Sequence, residues 1–193
     1  MNQKTVVVAS NNAHKLREIA QIFPEYNILS AKEAGFYDEV EETGATFQEN
    51  ALIKARAACA ALRLPVIADD SGLCVNALAG EPGVYSARYS GAHGDDASNR
   101  AKLLKNMQGV ADRTAYFCCA IAMVFPDGKE LSAEGRTHGL ILDQECGNGG
   151  FGYDPLFFSD DLKKSFGEAT AEEKNGVSHR YRALQELKSM AGL

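Results

Sequence analysis

The sequence predicts an α/β protein in which a long mixed β-sheet is flanked by helices, arranged as two lobes with an active-site cleft between them. Three observations point there. Short β-branched runs alternate with helical patterns in the first part of the chain. A long apolar segment, Thr114 to Phe125, is followed by the turn Pro126-Asp127-Gly128-Lys129 and a second extended segment. No internal repeat or low-complexity linker interrupts this order, so a single domain over residues 1–193 is expected. Alternating strands and helices make parallel pairs and the hairpin adds an antiparallel one, hence a mixed sheet.

Thr5-Val6-Val7-Val8-Ala9 reads as a buried strand. From Asn12 to Phe23, the spacing of Leu16, Ile19, Ala20 and Phe23 is helical, and Pro24 stops it. A second strand covers Tyr26 to Leu29. Thr46-Phe47-Gln48-Glu49 is a capping-box pattern that opens an Ala-rich helix ending near Leu64-Pro65. Val66-Ile67-Ala68 is the next strand, and Asp69-Asp70 is expected to end it. Asp96 to Met107 reads as a helix, Glu130 to Leu142 as the hairpin partner of the long strand, and Ser178 as the cap of a final helix to about Met190.

Bulk properties exclude several classes. Hydrophobic residues at 45% and charged residues at 24% are ordinary for a globular chain. At this length, roughly 70% of the unfolded surface can be buried. The formal charge of -6 repels a polyanion, so no nucleic-acid polymer is expected as a partner. A small phosphate ligand needs only local cations and backbone N–H groups, so it remains compatible. The apolar run from Cys118 to Phe125 falls far short of the ~20 residues that span a bilayer, and no signal peptide is visible. A cytoplasmic protein without membrane contact is expected. The five cysteines form no Cys-x-x-Cys pair and read as reduced, packed thiols.

Four segments carry chemistry. Ser10-Asn11-Asn12-Ala13-His14-Lys15 joins a strand to a helix N-terminus, where free N–H groups and the helix dipole favour an anion. It lacks the Walker A spacing, and the same residues also read as an Asn-capped helix with a surface Lys. The acidic set comprises Asp38, Glu39, Glu41 and Glu42, then Asp69-Asp70. Mg2+ in the presence of phosphate is typically held by one or two carboxylates. Glu39 and Glu41 suit a solvated loop, whereas two adjacent charges after an apolar strand are costly without a partner, which favours a functional Asp70. Gly147 to Pro155 contains a literal G-x-G-x-x-G, but Pro155 forbids the helix such a fingerprint must open. What remains is a Gly-rich loop, with Phe151 and Tyr153 available to pack a base or to serve as core aromatics. Finally, Lys174 precedes the last helix, and His179-Arg180 lies in its first turn. Cations are mildly disfavoured there and call for an anionic or carbonyl partner.

In this order, the segments resemble the inosine triphosphate pyrophosphatase family. The match runs from Ala9 to Arg180. It is carried by Ala9 to Lys15, Glu41-Glu42-Thr43-Gly44 with Thr46 to Ala51 and Lys54, Ala68 to Leu73, Pro82 to Tyr89, Gly149 to Pro155, and Ser178-His179-Arg180. One departure is Ser10-Asn11-Asn12, where members often have Thr-Gly-Asn. The resemblance implies a long mixed sheet with two lobes, a homodimer, and Mg2+-dependent cleavage of a nucleoside triphosphate between its α and β phosphates. It implies that Ser10, Asn11, Asn12, Ala13, His14 and Lys15 bind the triphosphate, with Lys54 also at the substrate. Asp70 would be the general base and a metal ligand, Glu42 the second metal position, and Ser71 a neighbour of the substrate. Phe151, Gly152, Tyr153, Asp154, Lys174, His179 and Arg180 would surround the base. Arg180 offers only donors and His179 can offer one, which suits a purine with a 6-oxo acceptor and disfavours adenine. ITP, dITP and XTP are the substrates that the resemblance implies; guanine also has the 6-oxo group, so Arg180 alone does not exclude GTP. Two competing readings are a sensor that binds the nucleotide without turnover, and a house-cleaning pyrophosphatase for modified pyrimidines, which His179-Arg180 argues against.

Overall fold

Parallel pairing at the start of the chain follows from its order of elements. Strand β1 (Lys4–Val8) leads into helix α1 (Ala13–Ile22) and returns as β2 (Tyr26–Ser30), which pairs with β1 in parallel from Lys4↔Tyr26 to Val8↔Ser30. The computed structural model describes residues 4–10 and 12–191, and of His14 the backbone alone. Helix α2 (Phe47–Leu62) carries the predicted capping box, with Thr46 and Glu49 each satisfying the other's backbone N–H. It ends one turn before Pro65, on Arg63 in the left-handed conformation. Strand β3 (Val66–Val75) then pairs with β1, again in parallel, at Val7↔Val66 and Val8↔Ile67.

Helix α3 (Asp96–Asn106) precedes the long strands β4 (Thr114–Val124) and β5 (Glu130–Ile141), joined by the predicted turn, in which the Phe125 N–H donates to Lys129 O at 2.9 Å. Short strands β6 (Phe157–Ser159) and β7 (Lys164–Ser165) add antiparallel pairs, giving a mixed seven-stranded sheet in the order β2-β1-β3-β4-β5-β6-β7. Helices α4 (Ala171–Val177) and α5 (His179–Ala191) follow.

Two findings correct the sequence reading. Strand β3 does not stop at Asp69-Asp70 but runs through them to Val75. The charges do not break the strand because partners from other elements satisfy them, as set out below. The second is α4, which the sequence reading left out. Thr170 and Glu173 form a capping box, so Lys174 lies within a helix, and Ser178 is the extended residue between α4 and α5.

By internal packing the chain forms two units. The first contains residues 1–70, 119–135 and 180–193, so β3, β4 and β5 each give part of their length to it. Alternation along its strands sends side chains to two cores. Val6, Val8, Ile67, Ile121 and Met123 pack with Ile19 of α1, Phe23 just after it, and Leu184 and Leu187 of α5. Val7, Val66, Ala68, Ala122 and Val124 pack against Ala51, Ala55 and Ala58 of α2, whose small side chains suit close approach. The second unit, residues 71–118 and 136–179, is centred on Phe117, Phe157, Phe166 and Leu156, with Leu103 of α3 and Met107 at its C-terminal cap. All five cysteines are free thiols, and all but Cys146 are buried. Among the described residues, no helix is long and apolar enough to cross a membrane.

Candidate active site

The two carboxylates of β3 face different surroundings. Asp69 is 2% exposed and receives the Lys15 ammonium at 3.0 and 2.9 Å on its two oxygens, and the Arg180 Nε–H at 3.2 Å. Burial pushes its carboxyl up, but Lys15, Arg180 and Lys54 together outweigh that and hold it well below the usual carboxylate range. Arg180 is itself buried. Burial lowers its proton affinity, but Asp69 and Glu18 more than restore it, and its Nη1 donates to Glu18 Oε2 at 2.8 Å.

Asp70 differs by one residue and has the opposite fate. Burial raises its carboxyl, Glu42 adds to the rise, and the opposing pull of Lys54 and Asn50 does not cancel it. Adjacent carboxylates whose proton affinities are driven apart can divide structural and acid–base work. Asn50 Nδ2 donates to Asp70 Oδ2 at 3.0 Å, while Asn50 Oδ1 accepts the Gly44 N–H at 2.8 Å. This places the Glu42-Thr43-Gly44 turn. A Cβ on Gly44 would sit 2.7 Å from Asn50 Oδ1, so the close approach requires glycine. Lys54 Nζ bridges Glu42 Oε1 and the Asp69 carbonyl, each at 2.7 Å. Burial lowers its proton affinity, but Asp70, Asp69 and Glu42 more than restore it, so it stays an ammonium.

The loop into α1 is built as a helix cap. Asn12 Oδ1 accepts the Lys15 N–H at 3.4 Å, and the Asn12 N–H donates to Ser10 Oγ at 3.1 Å. Asn12 therefore caps the helix, as the Asn-capped reading expects, but Lys15 is not a surface cation: it turns inward as a partner of Asp69. Ala13 opens the helix; Asn11 and the His14 side chain lie outside the described residues. A cavity of about 240 Å³ in this unit is lined by Ser10, Lys54, Lys32, Tyr37, Asp38 and Glu39. Glu39 and Glu41 are exposed, as a solvated loop requires.

The second unit assembles Phe151, Asp154 and Lys174. Asp154 is buried, and its Oδ2 accepts the Lys174 ammonium at 2.5 Å and the Phe151 N–H at 2.9 Å. Lys174 also lies 4.3 Å from the Phe151 ring centroid, and that ring is 48% exposed. Gly150 has φ +74°, and a Cβ there would collide with the Asp154 carboxylate. Gly152 is held by α3, its N–H donating to Asp96 Oδ2 at 2.8 Å and its carbonyl accepting from Arg100 at 2.9 Å. Tyr153 is buried with its hydroxyl donating to Ser86 O at 2.9 Å, so only Phe151 of the two aromatics offers an open ring. His179 is buried against Phe117, the rings stacked at 5.0 Å. Ser71 follows Asp70 in β3, half-buried.

Sequence reasoning named Asp69 and Asn50 within its segments but gave neither a role, and it passed over Glu18. Only Asn50 carried a local signal, its place one residue after the capping box. Among the described residues, no three or more His, Cys, Asp or Glu gather as a metal cage. Glu42 and Asp70 instead form an acidic pair felt electrostatically by Asp70, which fits a cation completed by phosphate oxygens rather than by protein alone.

The model of the Ham1 family matches residues 6–190. The dITP/XTP pyrophosphatase of Geobacter sulfurreducens is 51% identical, covering 97% of this chain and 96% of that protein. The enzyme of the same name from Clostridium perfringens is 50% identical over 96% of each. Among solved structures, the Staphylococcus aureus Ham1 protein superposes with a TM-score of 0.92 at 44% identity over 98% of both chains. A HAM1 protein from Coxiella burnetii gives 0.91 at 38% identity, also over 98% of each.

Proposed function

This chain belongs to the Ham1 family, and from that premise we propose that it hydrolyses deaminated purine nucleoside triphosphates (ITP, dITP and XTP) to the monophosphate and pyrophosphate. The observation that carries the reading is the pair Asp69–Asp70, one carboxylate locked into ion pairs with Lys15 and Arg180, its neighbour driven upward by burial beside Glu42 and Lys54.

In this mechanism Asp70 accepts the proton of a water that attacks the α-phosphorus, and Asn50 fixes the orientation of its carboxylate. Lys15, the N–H groups at the start of α1 and Lys54 stabilise charge on the phosphate chain, and Ser10 and Ser71 add polar contacts. Glu42 and Asp70 would hold Mg2+, which when bound offsets the charge of the pyrophosphate leaving group. Asp69 keeps Lys15 in place opposite the phosphates. Arg180 donates to the 6-oxo group of the purine. Phe151, with Gly152, Tyr153, Asp154, Lys174 and His179, is assigned to the base by resemblance and by the chemistry of an open ring backed by an ammonium. A homodimer and a cytoplasmic location complete the proposal, the dimer being testable by light scattering.

A substrate panel tests the reading. kcat/KM for ITP, dITP and XTP should exceed that for ATP by on the order of 100-fold or more, with pyrophosphate as the product. Orthophosphate released without added pyrophosphatase, or a preference for ATP, would overturn it.

A further inference from the structure

We propose that Lys54 competes with the divalent cation for Glu42, so that the metal enters with the nucleotide and not before it; the inference rests on the metal role given to Glu42 and Asp70 above. Where the ammonium sits carries the argument. Lys54 Nζ lies 2.7 Å from Glu42 Oε1 and donates at the same distance to the Asp69 carbonyl. The carbonyl belongs to the backbone of β3, one residue before Asp70, so that contact is a fixed pivot. The carboxylate belongs to a side chain in a turn, and a carboxylate can exchange one cation for another.

Both side chains are half-buried, so each charge depends strongly on its partner. Of the two negative charges that Glu42 and Asp70 offer, Lys54 offsets one. One oxygen of Asp70 is also taken, by Asn50 Nδ2 at 3.0 Å. Mg2+ gives up its waters reluctantly and relies on phosphate oxygens beside one or two carboxylates. A free ion at Glu42 would have to break the Lys54 ion pair and then stand next to the displaced ammonium. A triphosphate removes both obstacles. It brings oxygens for the metal, and it offers Lys54 an anion to turn to. Lys54 lines the same cavity as Ser10, at the start of the loop assigned to the phosphates, so the anion arrives within reach of its flexible stem. One cation then replaces another at Glu42, while the Asp69 carbonyl keeps Lys54 close by.

Mn2+ binding reads this competition without turnover. Electron paramagnetic resonance separates free from bound Mn2+ for the full chain alone and with the α,β-methylene analogue of ITP. The Mn2+ held by the analogue itself is subtracted. The parent, Lys54→Met, Lys54→Arg and Glu42→Gln are compared, with folding verified by thermal melts. The parent alone should bind Mn2+ at least about tenfold more weakly than its analogue complex, a measurement that needs no variant. Methionine keeps the stem and removes the charge. Lys54→Met should therefore tighten Mn2+ binding to the chain alone by about tenfold, the scale of one half-buried charge contact, and shrink the gain from the analogue. Lys54→Arg keeps the charge and should stay within about threefold of the parent. Equal Mn2+ binding by the parent with and without the analogue would overturn the competition. So would unchanged or weaker binding by Lys54→Met alone, or a gain in Lys54→Arg as large as in Lys54→Met; Lys54 would then be a structural tie between α2 and β3. The metal reading survives those outcomes if Glu42→Gln weakens Mn2+ binding to the analogue complex. If Glu42→Gln binds Mn2+ there as the parent does, the metal role of Glu42 falls and this inference with it.

Discussion

The polar set of the first unit and that of the second are built in opposite ways. In the first, charges sit on regular elements and are joined across long stretches of chain: Lys15 on α1 to Asp69 on β3, and Arg180 on α5 to Asp69 and Glu18. Asp69 and Arg180 are buried, Lys15 and Glu18 half-buried, and each cation meets a carboxylate. In the second, the set hangs on a Gly-rich loop. Positive-φ glycines let the backbone fold over Asp154, Lys174 closes on it, and one aromatic ring stays open to solvent. On the proposed reading, in which Lys15 serves the phosphates and Phe151 the base, the difference separates two kinds of work. Stabilising charge on phosphates needs dipoles and ions fixed in advance, because reorganising them during reaction would consume the gain. Stacking on a base tolerates small adjustments and needs an accessible ring.

The sharpest way to break the comparison is at Asp70. Asp70→Asn keeps the shape and the Asn50 contact but removes charge and base, so kcat should fall at least ~100-fold with folding preserved. Near-normal turnover in a folded variant would remove Asp70 from the chemistry. EDTA should likewise abolish activity and added Mg2+ restore it, measured by pyrophosphate release; activity persisting in chelator would end the metal assignment of Glu42 and Asp70.

Lys15→Ala comes next. It should lower kcat/KM by roughly tenfold or more for every nucleotide alike, since the target proposed for it is the phosphate chain. A defect confined to one base would move Lys15 from the phosphates to the purine. Gly150→Ala probes the second unit. It forces a side chain into a left-handed backbone and against Asp154, at a cost of roughly 1–3 kcal/mol. KM for ITP should rise more than kcat falls, and a chemical-melt midpoint should drop. A variant with unchanged KM would show that the loop does not shape the base contact.

The smallest effect concerns pH and stability. Asp69 has a folded-state proton affinity below its unfolded value, so the folded chain binds fewer protons there. Its contribution is fully present above the ordinary Asp pKa of about 4, and is lost as pH falls through the depressed folded value. Urea midpoints should therefore show no Asp69-dependent change between about pH 6 and 8. The gap between the parent and Asp69→Asn should narrow only under strong acid. A gap that narrows near neutrality would contradict the ion-pair account of Asp69.

Much of the fold was legible because its signals are local. The β-branched run of β1, the capping box of α2 and the Pro-Asp-Gly turn each specify a conformation within a few residues. The failures share a cause. Asp69-Asp70 looked like a strand end because charges seldom continue a buried strand, and the partners that make it possible lie 54 and 111 residues away. Helix α4 was passed over because seven residues show too little periodicity to outweigh Gly176, although Thr170-x-x-Glu173 was there to be read. In the site, the chemistry-bearing residue types were visible, but their division of labour was not. The resemblance singled out Asp70, but the residues themselves do not show why it differs from Asp69, since burial and cation proximity decide which carboxylate is pinned and which is raised. Tyr153 and Phe151 posed the same problem as neighbouring aromatics, one turned into the core and one outward.

The central claim is water attack at the α-phosphorus. Its most direct test is hydrolysis of ITP by the parent chain in ¹⁸O-labelled water, with the products resolved by mass spectrometry. The account predicts one ¹⁸O in the inosine monophosphate and none in the pyrophosphate. Label in the pyrophosphate, or inosine diphosphate with labelled orthophosphate, would place the attack on another phosphorus and contradict the account.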